Sequence, residues 1–269
     1  NGPQAGFIAL RSARCANELH TVPLDFAVAD TQAGIGICLQ RGFRKVFRAI
    51  GKKTAIATVI TEVVVDKDDL AFMHPDKPIG PFYDTPDALQ ARGVTFVEDA
   101  GRGYRQVVPS PIPKRILQLD QIEFMMAAGY MVIAVGGGGI PVVEVSPGIY
   151  EGIEAVIDKD RASMLLACKL DARYFAISTA VSHAYTNFGK PTQQNLCQLT
   201  VSTARQYLEE GHFAPGSMKP KIESLIEFVL RANANSPKHP RVGLLTTPEN
   251  LAPMMKGDWS LGTSIWPDK

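Results

Sequence analysis

Four glycines in succession, Gly136, Gly137, Gly138 and Gly139, follow the apolar run Met131–Val135 and precede Ile140-Pro141. A buried strand that ends on consecutive glycines presents backbone N–H groups with no Cβ in the way. Such a concave edge can take an oxyanion at the carboxyl end of a sheet. The alternative is a plain flexible turn, against which stands the chain entropy that four glycines lose on ordering. The run matches neither the P-loop spacing nor the dinucleotide fingerprint. A second group, Asp158-Lys159-Asp160, opens a helical pattern. Asp160 is the better candidate N-cap and Asp158 the weaker. Lys159 at this corner can sit over a phosphate, or can be a solvated lysine at a helix start. A third group, Gly211–Lys221, carries Gly216, Ser217 and Met218 into a helix. Backbone donors there, with Lys221 one turn in, suit bound phosphates; a capped helix with surface lysines is the plainer version. The fourth is Lys77, flanked by Pro78, Gly80 and Pro81: a stiffened lysine, or one in a proline-rich surface loop.

These groups need elements to hold them. Apolar spacing predicts helices over residues 4–19 and about 30–49, the second with Arg41, Arg44, Lys45 and Arg48 on its polar side. The β-branched stretch 54–65 predicts a buried strand. Residues 66–115 are charged and punctuated by Pro75, Pro78, Pro81, Pro86, Pro109, Pro111 and Pro113, the texture of a small loop-rich lobe inserted into the main sheet. A helix over 118–128, ended by Gly129, and a strand over 130–135 follow. Further helices are predicted over 160–169, 201–210, 219–232 and 247–256, and strands over 173–179, 241–246 and 261–266. This alternation predicts an α/β fold, an open and mainly parallel sheet between helix layers. The expectation is a single domain over 1–269, with 66–115 as its inserted lobe.

Bulk properties narrow the function. The chain has 269 residues, 28 basic and 27 acidic, a formal charge of +1 and no long basic run, so nucleic acid is not an expected partner. Cys15, Cys38, Cys168 and Cys197 are too scattered for a zinc ribbon or a CxxC redox motif, and no protein metal site is assigned. Free thiols in a reducing cytoplasm are the expectation. No apolar run approaches the ~20 residues that cross a membrane. The chain opens on Asn1-Gly2-Pro3-Gln4, which reads as a first helical turn behind a strand, so upstream sequence is expected to be absent from it.

Taken in order, eight segments resemble the carbamate kinases of the amino acid kinase superfamily. They are Asn1–Gln4, Lys77–Gly80, Glu98–Arg105, Val107–Pro111, Gly136–Pro141, Ala155–Asp160, Asn187–Lys190 and Gly211–Lys221. Each is weak alone; the ordered set is specific, and Glu98–Arg105 with Gly136–Pro141 separates carbamate kinases from acetylglutamate, aspartate and uridylate kinases. The resemblance implies the amino acid kinase fold and phosphoryl transfer between ATP and carbamate, with Mg²⁺ accompanying ATP or ADP. It implies a cytoplasmic homodimer working in arginine or purine breakdown, or making carbamoyl phosphate. Carbamate and the transferred group would rest on Gly136–Gly139 and the Asn1-Gly2 corner. Lys77 would reach in from the lobe, and Asp158 would orient Lys159 and Lys221 on the phosphates. The base would pack near Thr179–Tyr185, with Thr179, Ala180 and Tyr185 at the nucleotide, and near the Asn187–Lys190 segment, with Gly216, Ser217 and Met218 close by. Phosphoryl transfer needs positioning and cations rather than a nucleophilic side chain.

Two departures from the family pattern stand out. The strand ending in Gly-Gly-Asn that opens family members is not in this chain. Many members carry Thr-Asp-Val-Asp where this chain has Thr179-Ala180-Val181-Ser182. The competing reading is therefore a carbamate-kinase-like protein without activity, acting as a regulatory or structural subunit.

Overall fold

The computed structural model describes residues 2–99, 101–235 and 238–268. The chain divides into two compact units, Asn1–Ser163 and Met164–Lys269.

The first unit opens with α1 (Gly2–Arg14) and α2 (Leu24–Ala49). Helix α1 ends earlier than apolar spacing suggested, and α2 starts earlier. Pro23 precedes α2 in an extended conformation, and the Leu24 N–H is taken by the Glu154 carboxylate at 2.9 Å, a cap from far along the chain. Helix α1 lies almost backbone to backbone on the next lobe, since a Cβ on Gly6 would stand 2.2 Å from the Gly80 nitrogen.

The single strand predicted over 54–65 is instead two, β1 (Ile56–Thr58) and β2 (Glu62–Val64). The lobe that follows contains β3 (Lys77–Tyr83), the short α3 (Asp87–Gln90), β4 (Phe96–Glu98) and β5 (Tyr104–Val108), with an antiparallel sheet in the order β3-β5-β4. Then come β6 (Arg115–Ile116), α4 (Leu119–Ala127), β7 (Met131–Ile133), β8 (Ile140–Ser146) and β9 (Ile149–Gly152). Strand β1 pairs in parallel with β7, and β2 in parallel with β8, while β6 and β9 close the second sheet antiparallel at its edges. The break between β1 and β2 thus faces the glycine run between β7 and β8. Ala5, Ala27, Val28, Ile79, Val142 and Val156 form the core that joins helices, lobe and sheet.

Helix α5 (Lys159–Lys169) contains the division between the units. The second unit holds β10 (Tyr174–Ser178), β11 (Ala184–Thr186), β12 (Gln194–Leu196), β13 (Gln198–Thr200), α6 (Val201–Glu209), α7 (Met218–Asn233), β14 (Val242–Thr246), α8 (Pro248–Met255) and β15 (Thr263–Trp266). Its sheet runs β10-β14-β15-β13, with β10/β14 and β13/β15 parallel and β14/β15 antiparallel. All five residues of β14 are buried, as its unbroken apolar run demands. Phe175, Leu225, Phe228, Leu245 and Ile265 centre the core.

Candidate active site

In the first unit the first residue of β3 meets the residue before α5. Lys77 Nζ stands 2.5 Å from Asp158 Oδ2, with the side chains 28% and 13% exposed. The other carboxylate oxygen, Oδ1, accepts from the backbone N–H groups of Asp160 at 2.9 Å and Arg161 at 3.2 Å. Asp158 is therefore the cap of α5, a correction to the choice of Asp160. The Asp160 carboxylate instead lies 3.2 Å from Lys159 Nζ. Burial opposes ionisation of Asp158, but the Lys77 ammonium and the Arg161 N–H outweigh it and hold its pKa down at about 2. Lys77 is thus a hydrogen-bonded cation of Asp158, and Lys159, which the family resemblance sets beside it, also lowers its pKa.

The glycine run folds into a tight 3-10 turn over Gly136–Gly138. Gly138 N–H donates to Val135 O at 3.0 Å and Gly139 N–H to Gly136 O at 3.2 Å, so the turn uses two of its four glycine donors on itself. The expected open row of donors is correspondingly shorter. A Cβ on Gly138 would stand 2.3 Å from the carbonyl oxygen of Ile157, the residue before Asp158. The loop is thereby packed directly against the segment that carries the carboxylate. Gly2 is the first residue of α1, which packs on the strand begun by Lys77; Asn1 lies outside the described residues.

Two residues that sequence reading missed hold this loop. Gln32, on α2, accepts from Thr61 N–H at 2.8 Å through Oε1 and donates to Gly136 O at 3.0 Å through Nε2. The Thr61 hydroxyl accepts from Val135 N–H at 3.0 Å. A polar side chain in an amphipathic helix carries no local sign that it points inward.

The second unit contains a cavity of about 470 Å³. Five of the six residues anticipated at the base, Thr179, Ala180, Tyr185, Ser217 and Met218, line it, and so does Lys221. Gly216 is not among the lining residues; it turns the chain into α7 with φ +63°. The Ser217 N–H donates within that turn, to Pro215 O at 2.6 Å, so it is not the donor expected for a ligand. The β11–β12 hairpin presents Tyr185, whose ring lies 5.6 Å from that of Phe188, another lining residue. Asn187 and Lys190, from the segment anticipated near the base, also line the cavity, and so does His212, which sequence reading had not assigned to the site. An apolar and aromatic cavity bearing two lysines suits a flat heterocycle attached to phosphates.

Beside this cavity, His183 Nε2 lies 3.1 Å from Ser260 O and Nδ1 lies 2.9 Å from Ser182 Oγ. A carbonyl can only accept, so Nε2 donates to it, and Nδ1 shares a hydrogen bond with the Ser182 hydroxyl. Ser182, one of the departures from the family pattern, is thus built into a polar network.

The sequence model of the Amino acid kinase family matches residues 79–236. The carbamate kinase-like protein YahI of Escherichia coli K12 is 43% identical, the alignment covering 98% of this chain and 83% of that protein. Carbamate kinase 2 of Enterococcus faecalis is also 43% identical, over 93% of this chain and 80% of its own. Among solved structures, carbamate kinase from Giardia lamblia bound to AMP-PNP superposes with a TM-score of 0.87 at 35% identity, covering 100% of this chain and 83% of that one. The α/β architecture, the glycine loop and these similarities agree: the chain belongs to the amino acid kinase family and, within it, to the carbamate kinases.

Proposed function

We infer that the chain catalyses reversible phosphoryl transfer between ATP and carbamate, ADP and carbamoyl phosphate giving ATP and carbamate in the reverse direction. The observation that carries this reading is the Lys77–Asp158 pair set beside a glycine loop whose Gly138 packs on Ile157. In the transition state, charge spreads over the equatorial oxygens of the transferring group, and fixed cations and N–H donors stabilise it. Lys77, oriented by Asp158, and the Gly136–Gly139 loop supply that stabilisation from the first unit, with Lys159 on the phosphates. The second unit supplies the nucleotide cavity, in which Tyr185 and Met218 hold the base and Lys221 a phosphate.

Mg²⁺ enters with the nucleotide. The ion would be held chiefly by phosphate oxygens, as Mg²⁺ bound with a nucleotide usually is. Its chemistry there is neutralisation of phosphate charge.

The reading extends to a homodimer. Phe26, Ile37, Leu39, Val46 and Ile50 of the α2 region stand exposed, apolar surface of the kind that a second copy can cover. It extends also to the cytoplasm and to arginine breakdown, on the family resemblance; among the described residues no helix is long and apolar enough to cross a membrane.

A coupled assay of ATP formation from ADP and carbamoyl phosphate, on the full-length gene product, tests the activity. Turnover is expected. ADP binding with no turnover would instead support the second reading, a non-catalytic subunit, which Ala180 and Ser182 favour.

A further inference from the structure

We propose that Gln32 is a positioning residue for phosphoryl transfer, which with Thr61 clamps the Gly136–Gly139 loop into its working conformation. The proposal rests on the kinase reading for the role of the loop. Gln32 is only 4% exposed. A buried primary amide is costly unless paired, and both ends of this one are paired. Its oxygen accepts from Thr61 N–H at 2.8 Å; its nitrogen donates to Gly136 O at 3.0 Å and Thr61 O at 3.3 Å. Thr61 in turn accepts Val135 N–H at 3.0 Å and donates to Val59 O at 2.8 Å.

The clamp therefore grips the peptide groups on either side of the pair Val135-Gly136. Within that pair Val135 has φ 46° and ψ 33°. A β-branched side chain in the left-handed region is a strained outlier that persists only where its surroundings enforce it. Here the enforcing contacts are those of Thr61 on the Val135 N–H and Gln32 on the Gly136 carbonyl. Four glycines following a strand could otherwise sample many conformations. The Gln32 donor also acts on the peptide that joins Gly136 to Gly137. Donation to its carbonyl polarises the same peptide's N–H, the Gly137 donor, toward an incoming oxyanion.

The test compares wild type, Gln32→Glu and Gln32→Met, with Val135→Gly added to the latter. Glutamate keeps the shape but faces Gly136 O with an acceptor; methionine keeps the volume without hydrogen bonds. ATP formation from ADP and carbamoyl phosphate and amide exchange across residues 135–139 are read on each. We expect kcat to fall ~10–100-fold in both single variants while the KM for ADP stays within about twofold. Exchange across 135–139 is expected to rise, and Val135→Gly to restore part of kcat by removing the strain. Should Gln32→Glu fail to fold, Gln32→Met carries the same comparison. A kcat within about threefold of wild type with unchanged exchange overturns the proposal. So does a loss shared equally by kcat and ADP affinity, which marks a general structural defect. A wild type without ATP formation removes the kinase reading, while the exchange data still decide whether Gln32 holds the loop.

Discussion

Asp158 does two jobs with its two oxygens: one caps α5, the other holds Lys77. Its pKa of about 2 lies below the ordinary carboxylate value of 3.8. A depressed folded-state pKa means stability that is fully present above about pH 4 and is lost as pH falls through about 2. The shift corresponds to about 2 kcal/mol. Asp158→Asn should therefore lower stability at pH 6 by roughly that amount yet lose less than wild type between about pH 4 and 2. Urea melts at pH 6 and pH 3 check this, and parallel curves for the two proteins would count against the pair. On the proposed function, Lys77→Ala removes a cation used chiefly in the transition state. Turnover should drop ~10²–10³-fold while calorimetry finds ADP affinity within about twofold. A large loss of ADP affinity would place Lys77 at the nucleotide.

At the level of elements, the site depends on backbone approaches that admit no side chain. A Cβ on Gly138 would meet Ile157 O at 2.3 Å, and its φ of +107° is unfavourable for any L residue. Gly138→Ala should cost about 2 kcal/mol or more and shift Asp158 away from Lys77, so melting temperature and turnover should fall together. Gly34 is the contrast. It lies inside α2 with nothing within 4 Å of its Cβ position. Gly34→Ala should stabilise by roughly 0.5–1 kcal/mol, because alanine loses less backbone entropy in a helix. Thermal melts of both variants separate a glycine required by packing from one that is only tolerated. The break between β1 and β2 belongs to the same scale. Thr61 donates its N–H to Gln32 and accepts the Val135 N–H on its hydroxyl, while its carbonyl still accepts from Ile140 N–H at 2.8 Å, and the stretch 54–65 divides at this point into β1 and β2.

For the molecule as a whole, the proposed function gives the lysines and the loop of the first unit and the cavity of the second separate jobs, and ligands should report them separately. ADP should slow amide exchange over residues 179–190 and 211–221. Carbamoyl phosphate should act on 77–80 and 136–159. ADP at 100 times its dissociation constant should add about 2.7 kcal/mol, or ~5–10 °C in melting temperature. ADP protection confined to the first unit would overturn the assignment of the cavity.

Local signals were enough for much of this. The helical period marked α6 and α7, the largely apolar run marked β14, and the ordered set of eight segments pointed to the carbamate kinases. These features are written in neighbouring residues, because period, φ preference and charge are local properties. The partners were not. Lys77 and Asp158 are separated by 81 positions, and Gln32 and Gly136 by 104. Which cation a buried carboxylate meets, and which buried amide grips a loop, are settled only when distant segments pack. Residue type says that a polar group needs a partner; the tertiary fold chooses it.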